Sequence, residues 1–202
     1  MMAGSALSAI RWMLWGILGV LLVALAAVYV PGGATPGPSA ERYGAGDYEL
    51  VTDEGETVND TIFVGQPSAV FFGFTHCPDV CPTTVAEMAH WFEQLGPDAG
   101  GLRAFFITVD PERDTPEMLN DYVGWASNRI TGLTGTPENV DKVIDAWGAH
   151  AERVPLEGGG YTMNHTASVL LLNARGEFEG TIAYGENSET AIGKLRQLVG
   201  AS

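Results

Sequence analysis

The chain holds two cysteines, Cys77 and Cys81, four residues apart in the segment Val70–Thr84, VFFGFTHCPDVCPTT. Sulfur at both positions suits ligation of a soft metal or thiol–disulfide exchange, since the thiolate is the donor in one and the nucleophile in the other. The surrounding pattern places them. Val70 to Phe74 is a short apolar run that reads as a buried strand, and Pro82-Thr83-Thr84 opens a helical pattern. Val85, Met88, Ala89, Phe92 and Leu95 fall on one face of that helix. Both thiols are therefore expected in the turn between a central strand and a helix N-terminus, where free N–H groups and the helix dipole favour thiolate. At i, i+4 on a helix, β-carbons lie about 5–6 Å apart, so both sulfurs can turn toward one point. The spacing also admits a disulfide, whose α-carbons sit about 4.4–6.8 Å apart. A purely structural cross-link would close so small a loop that it would stabilise little.

The elements needed to hold such a turn follow along the chain. Tyr48–Thr52 and Thr61–Val64 bracket Asp53-Glu54-Gly55 and predict a hairpin. Leu102–Val109 predicts a second apolar strand. Asp114-Thr115-Pro116-Glu117 then starts a helix with a capping side chain and an early proline; Met118, Leu119, Tyr122 and Val123 supply its inner face. A short strand over Ile130–Leu133 precedes the same start signal at Thr136-Pro137-Glu138, and Val140, Val143, Ile144 and Trp147 keep helical spacing. Gly158–Gly160 mark a loop that is expected to run to Asn164 and to be closed by His165 ahead of an apolar strand. Thr166–Leu172 and Phe178–Ala183 predict a hairpin, and Ser188 caps a last helix with Ile192, Leu195 and Val199 inward. The order implies one α/β domain over residues 47–202, a mixed sheet flanked by helices with an additional N-terminal β-hairpin.

What precedes that domain differs in kind. Trp12 to Val30 is nineteen residues without a charge. A bilayer needs about 20 apolar residues and a signal-peptide core only about 15, so a transmembrane signal anchor over residues 12–30 is the better reading. Ala24-Leu25-Ala26 keeps a cleaved signal peptide as the alternative. Arg11 is the sole basic residue before Arg42, which puts residues 1–11 on the cytoplasmic side and the domain outside, tethered by the Pro/Gly/Ser linker 31–46. The chain carries 25 acidic and 10 basic residues, for a net charge of −15. With no basic patch to neutralise phosphates, nucleic acid is disfavoured as a partner. In an oxidising compartment a lone cysteine pair is expected to close into a disulfide.

Four stretches resemble the Sco/SenC family of membrane-anchored copper proteins: FGFTHCPDVCPTT at 72–84, ITVDPERDTPEML at 107–119, ITGLTGTPENV at 130–140 and YTMNHTASVLLLN at 161–173. The resemblance implies a thioredoxin-like fold and a role in assembling the binuclear copper centre of cytochrome c oxidase. It implies copper ligation by Cys77, Cys81 and His165, with the oxidase's copper-bearing subunit as partner and other copper carriers or thiol reductants as further ones. It places the chain in the plasma (inner) membrane, single-pass, with its domain on the periplasmic side. One departure stands beside the site: Asn164 occupies a position usually held by aspartate, so no negative charge precedes His165.

Thiolate selects Cu(I) and imidazole also accepts Cu(II), which makes two cysteines and a histidine a coherent copper set. A thiol–disulfide oxidoreductase acting on oxidase-subunit cysteines is the alternative, and a redox or copper sensor would share the same site. His76, His90 and His150 are read as non-ligands. Met163 is read as packing, although a thioether lies within its means. Asp110 and Asp114 sit at a strand's C-terminal end, where α/β sheets place their sites. Turn formation and helix capping are their plainer roles. For Asp79 and Tyr161 the same plainer roles stand beside a part in shaping access to the metal. No hydrolytic triad or phosphate loop stands out, so the chain is not read as an enzyme of those classes.

Overall fold

The computed structural model describes residues 11–16, 19 and 42–200. Most of the expected 12–30 anchor, and linker residues 31–41, lie outside the described residues. Among the described residues no helix is long and apolar enough to cross a membrane.

Strands β1 (Leu50–Thr52), β2 (Thr57–Val58), β3 (Ser68–Gly73), β4 (Arg103–Thr108), β5 (Ile130–Thr134), β8 (Val169–Leu172) and β9 (Phe178–Ile182) form one seven-stranded mixed sheet, ordered β2-β1-β5-β4-β3-β8-β9. β3, β4 and β5 run parallel, while β8 joins β3 antiparallel. Central strands covered on both faces must be apolar throughout, and all six residues of β3 are buried, as are all four of β8. Helices α1 (Val80–Leu95), α2 (Pro116–Gly124), α3 (Pro137–Ala146) and α4 (Ser188–Gly200) complete the thioredoxin-like α/β fold. α1 packs against α4, and α2 against β5. Trp147, just past α3, is buried edge-on against Tyr43, Phe63 and Phe72, and ties the N-terminal segment to the core.

The α1 face expected from sequence is buried: Val85, Met88, Ala89, Phe92 and Leu95, joined by Trp91. Thr115 and Thr136 cap α2 and α3, each accepting from the N–H three residues on, with proline at the first turn. Several expectations need correction. The return strand of the first hairpin is Thr57–Val58, whereas Thr61–Val64 falls on a 3₁₀ turn over Asp60–Phe63. Asn59 accepts from the Thr61 N–H and starts that turn, and burial of Phe63 holds it. α1 begins at Val80, so Cys81 lies inside its first turn. Met118 faces outward, the inner face of α2 being Leu119 and Val123. α4 is capped by Asn187, which accepts from the N–H groups of Glu189 and Thr190, and not by Ser188.

The largest revision concerns the residues before His165. They form a separate two-stranded hairpin, β6 (Ala151–Pro155) and β7 (Tyr161–His165), turning through 156–160. His165 is thus the last residue of a strand, opposite Ala151. Gly73 marks how closely the core is built around the cysteines. A β-carbon there would lie 2.8 and 2.9 Å from the Phe106 ring and 3.0 Å from Cys81 Sγ. Gly73→Ala should therefore lower stability by about 1–3 kcal/mol through overpacking. Urea unfolding of the metal-free protein measures it, and an unchanged midpoint would show that the ring and sulfur yield freely.

Candidate metal centre

The cysteine loop leaves the C-terminal end of β3, where Phe74 is buried and Thr75 turns the chain. A buried carboxylate holds that turn. Asp114 accepts from the Thr75 N–H at 3.0 Å, the Thr75 hydroxyl at 2.6 Å and the Thr108 hydroxyl at 2.6 Å. Three donors satisfy a charge that burial would otherwise make costly. Asp114 therefore clamps the end of β3 to the end of β4, while Thr115 beside it does the capping. Cys77 follows in the loop, its N–H donating to the Phe74 carbonyl, and Cys81 enters α1 with its own N–H 3.4 Å from Cys77 Sγ.

β7 brings the third donor from 84 residues away: His165 Nε2 lies 3.3 Å from Cys81 Sγ. The donor atoms of Cys77, Cys81 and His165 all lie within 4.8 Å of one another. The disulfide expected of the pair is not formed: both cysteines are free thiols, Cys77 half-buried and Cys81 buried, with Cys81 Sγ turned to the imidazole. His165 Nδ1 is 3.0 Å from the Thr166 carbonyl oxygen. A carbonyl only accepts, so Nδ1 carries the ring proton and Nε2 keeps its lone pair toward the sulfurs. Phe71 and Phe74 meet the imidazole edge-on at 5.9 and 5.7 Å and fix its plane. Two thiols and a neutral imidazole, with one ring edge locked, form a soft donor set that suits copper.

Burial corrects one expectation about protonation. Although Cys81 sits at a helix N-terminus, loss of solvent pushes its thiol well above the ordinary range, and the backbone bond near Phe74 offsets this only in part. Desolvation outweighs the dipole there, so the metal-free thiol keeps its proton. Burial also lowers the His165 pKa, against the upward pull of backbone bonds to Thr166 and Phe72, so the ring is neutral at pH 7.

The remaining residues sort clearly. Pro78, Asp79, Val80, His150, Met163 and Asn164 line, together with Cys77 and His165, a cavity of about 380 Å³. Met163 is half-buried and packs on the core. His76 turns to Thr75 and Asp114, His90 is exposed, and His150 faces Glu152 at 3.9 Å. None of these joins the donor set. Tyr161 lies at the turn end of the hairpin, its hydroxyl donating to Asp110 at 2.8 Å. The sequence reading passed over Phe71, Phe74, Thr75 and Arg113. Of these only Arg113 left a trace, as the basic residue inside Asp-x-x-Arg-Asp at 110–114.

The fold and this site define a thioredoxin-like domain with a dithiol–imidazole metal centre. The chain belongs to the SCO1/SenC family, whose sequence model matches residues 37–200. It is 39% identical to the human mitochondrial protein SCO1 homolog over 139 residues, 66% of this chain and 45% of that protein. It is similar in structure to copper-bound ScoI of Bradyrhizobium japonicum, with 38% identity, a TM-score of 0.70, and coverage of 76% of this chain and 98% of that one. Copper-bound yeast Sco1 is also similar, at 27% identity and a TM-score of 0.71 over 78% of this chain and 89% of that one. The chain spans about half the length of the first curated relatives it matches.

Cys81 makes stability depend on alkaline pH. Its proton is retained in the folded, metal-free state and is lost from the unfolded chain above the ordinary thiol value of 9.0. The folded state then binds more protons, so stability present below pH 9 is lost as pH rises. The difference in unfolding free energy between the native protein and Cys81→Ala should shrink by up to about 1.4 kcal/mol per pH unit above pH 9. Denaturant titrations between pH 7 and pH 10.5 test this, and a constant difference would contradict it.

Proposed function

We propose that the chain is a copper-binding metallochaperone that delivers copper to, or prepares, the binuclear copper centre of cytochrome c oxidase. The observation that carries this reading is the convergence of Cys77, Cys81 and His165 to within 4.8 Å, in a family with copper-bound members. Copper is cargo here. Two thiolates hold Cu(I), the imidazole extends the set to Cu(II), and three donors leave the ion open to an incoming ligand. The half-buried Cys77 lines the cavity through which a partner's donors would enter. Release is then coupled to the thiols: as copper leaves, the pair either takes up two protons or exchanges with a partner disulfide, which takes the two electrons and becomes two thiols while Cys77 and Cys81 close to a disulfide.

The partner in this reading is the oxidase subunit that bears the copper centre, with other copper carriers or thiol reductants loading or resetting the site. Residues 12–30 would anchor the chain in the plasma membrane, with residues 31–46 as spacer and the domain on the periplasmic side. The net charge of −15 supports partners other than nucleic acid. A second reading rests on a specific asymmetry: Cys77 is half-buried while Cys81 is buried. That arrangement suits thiol–disulfide exchange, with Cys77 attacking a partner disulfide and Cys81 resolving it. The pair then ends as a disulfide and the partner as two thiols.

Anaerobic titration with Cu(I) and Cu(II) separates the two. The native chain should bind one copper ion per molecule, His165→Ala should weaken Cu(II) binding by at least about tenfold, and Cys77→Ser should weaken both valences. If His165→Ala leaves copper affinity unchanged while reduction of a partner disulfide requires both cysteines, the oxidoreductase reading replaces delivery.

A further inference from the structure

The β6–β7 hairpin that carries His165 pairs with no strand of the large sheet. Something else must hold it in place, because an imidazole on an unsupported hairpin could not stay 3.3 Å from Cys81. At its base, Thr166 N–H donates to the His150 carbonyl at 3.0 Å, and His150 N–H to the Thr166 hydroxyl at 2.8 Å. At its turn end, four residues from His165, a charged cluster takes over. Arg113 Nε donates to the buried Asp110 carboxylate, and its Nη1 donates to the Tyr161 carbonyl at 3.2 Å. The same guanidinium lies 3.9 Å from the Tyr161 ring centroid, Arg153 covers the ring at 4.1 Å, and Arg153 pairs with Glu112 at 2.5 Å. Arg113 also stands 5.8 Å over the Phe74 ring, which meets His165 edge-on at 5.7 Å.

From this we propose that Arg113 is the positioning residue of the copper site, holding His165 over the thiols through Tyr161 on one side and Phe74 on the other. The proposal rests on the copper reading above. Arginine fits this place because a planar fork can bond Asp110 and the Tyr161 carbonyl while stacking on the ring; a lysine supplies the charge without the plane. Arg113→Lys therefore keeps a cation against Asp110 and removes the bond to the Tyr161 carbonyl and the stacking on its ring, leaving the Tyr161–Asp110 bond to hold the turn end more loosely. Arg153→Ala removes only the outer, half-exposed layer of the same cluster.

The test uses the full chain, native and with each substitution, loaded with Cu(II) and separately with Cu(I). Pulsed electron paramagnetic resonance reads imidazole coupling to Cu(II), competition with chelators reads both affinities, and thermal melts of the metal-free protein read the fold. Arg113→Lys should weaken imidazole coupling and lower Cu(II) affinity by about tenfold, the cost of losing a residue that orients a ligand. Cu(I) affinity, carried mainly by the two thiolates, should change by less than about threefold. Arg153→Ala should shift the same quantities in the same direction by less. Native-like imidazole coupling and Cu(II) affinity in Arg113→Lys would overturn the proposal, as would equal losses for both valences accompanied by a lower melting point. A native chain without imidazole coupling would instead remove the copper reading, and this proposal with it.

Discussion

The contact on which the structure's chemistry depends joins Cys81 Sγ to His165 Nε2 across 84 residues of chain. Neither group is placed by local geometry alone. The sulfur is fixed by the first turn of α1, against the backbone of Gly73, where even a β-carbon would crowd it. The imidazole is fixed by a hydrogen bond at its far edge and by two phenylalanine rings. Cys81 is buried and His165 half-buried, and their loss of solvent has two consequences. It holds the metal-free thiol protonated and the imidazole neutral, and it strengthens attraction between two thiolates and a cation once one is bound. Metal entry must therefore expel a proton from Cys81, which links affinity to pH.

Two buried aspartates act as the frame for that contact, and they divide the work. Asp114 fixes where the cysteine loop begins by gathering Thr75 and Thr108. Asp110 fixes where the histidine hairpin rests by gathering Arg113 and Tyr161. Both leave the C-terminal end of β4, next to β3, where parallel sheets open their loops to a ligand. A single β4 loop thus supports both halves of the site.

Most of the fold was legible because periodicity and start signals reported burial directly. The apolar runs of β3 and β4, the Thr-Pro-Glu starts of α2 and α3, and the inward face of α1 are local features that tertiary packing had no reason to override. What sequence reasoning missed lacked such a signal. The strand Ala151–Pro155 mixes charge and apolar residues and exposes most of them, so no alternation marks it. The Thr61–Val64 segment looked extended until Asn59 and Phe63 are seen to curl it. At the site, the cysteine pair was legible from its spacing, whereas spacing alone said nothing about His165, the third donor that the structure brings to it. The protonation of Cys81 was misjudged because a helix N-terminus can be inferred from sequence, whereas complete burial of one sulfur cannot.

Copper K-edge absorption of the Cu(II)-loaded chain tests the central claim most directly, because it counts the atoms around the ion. The account predicts two sulfur scatterers together with the multiple-scattering pattern of an imidazole, the latter absent in His165→Ala. A native shell with one sulfur or none, or one without imidazole, would contradict the convergence of Cys77, Cys81 and His165 on a single ion.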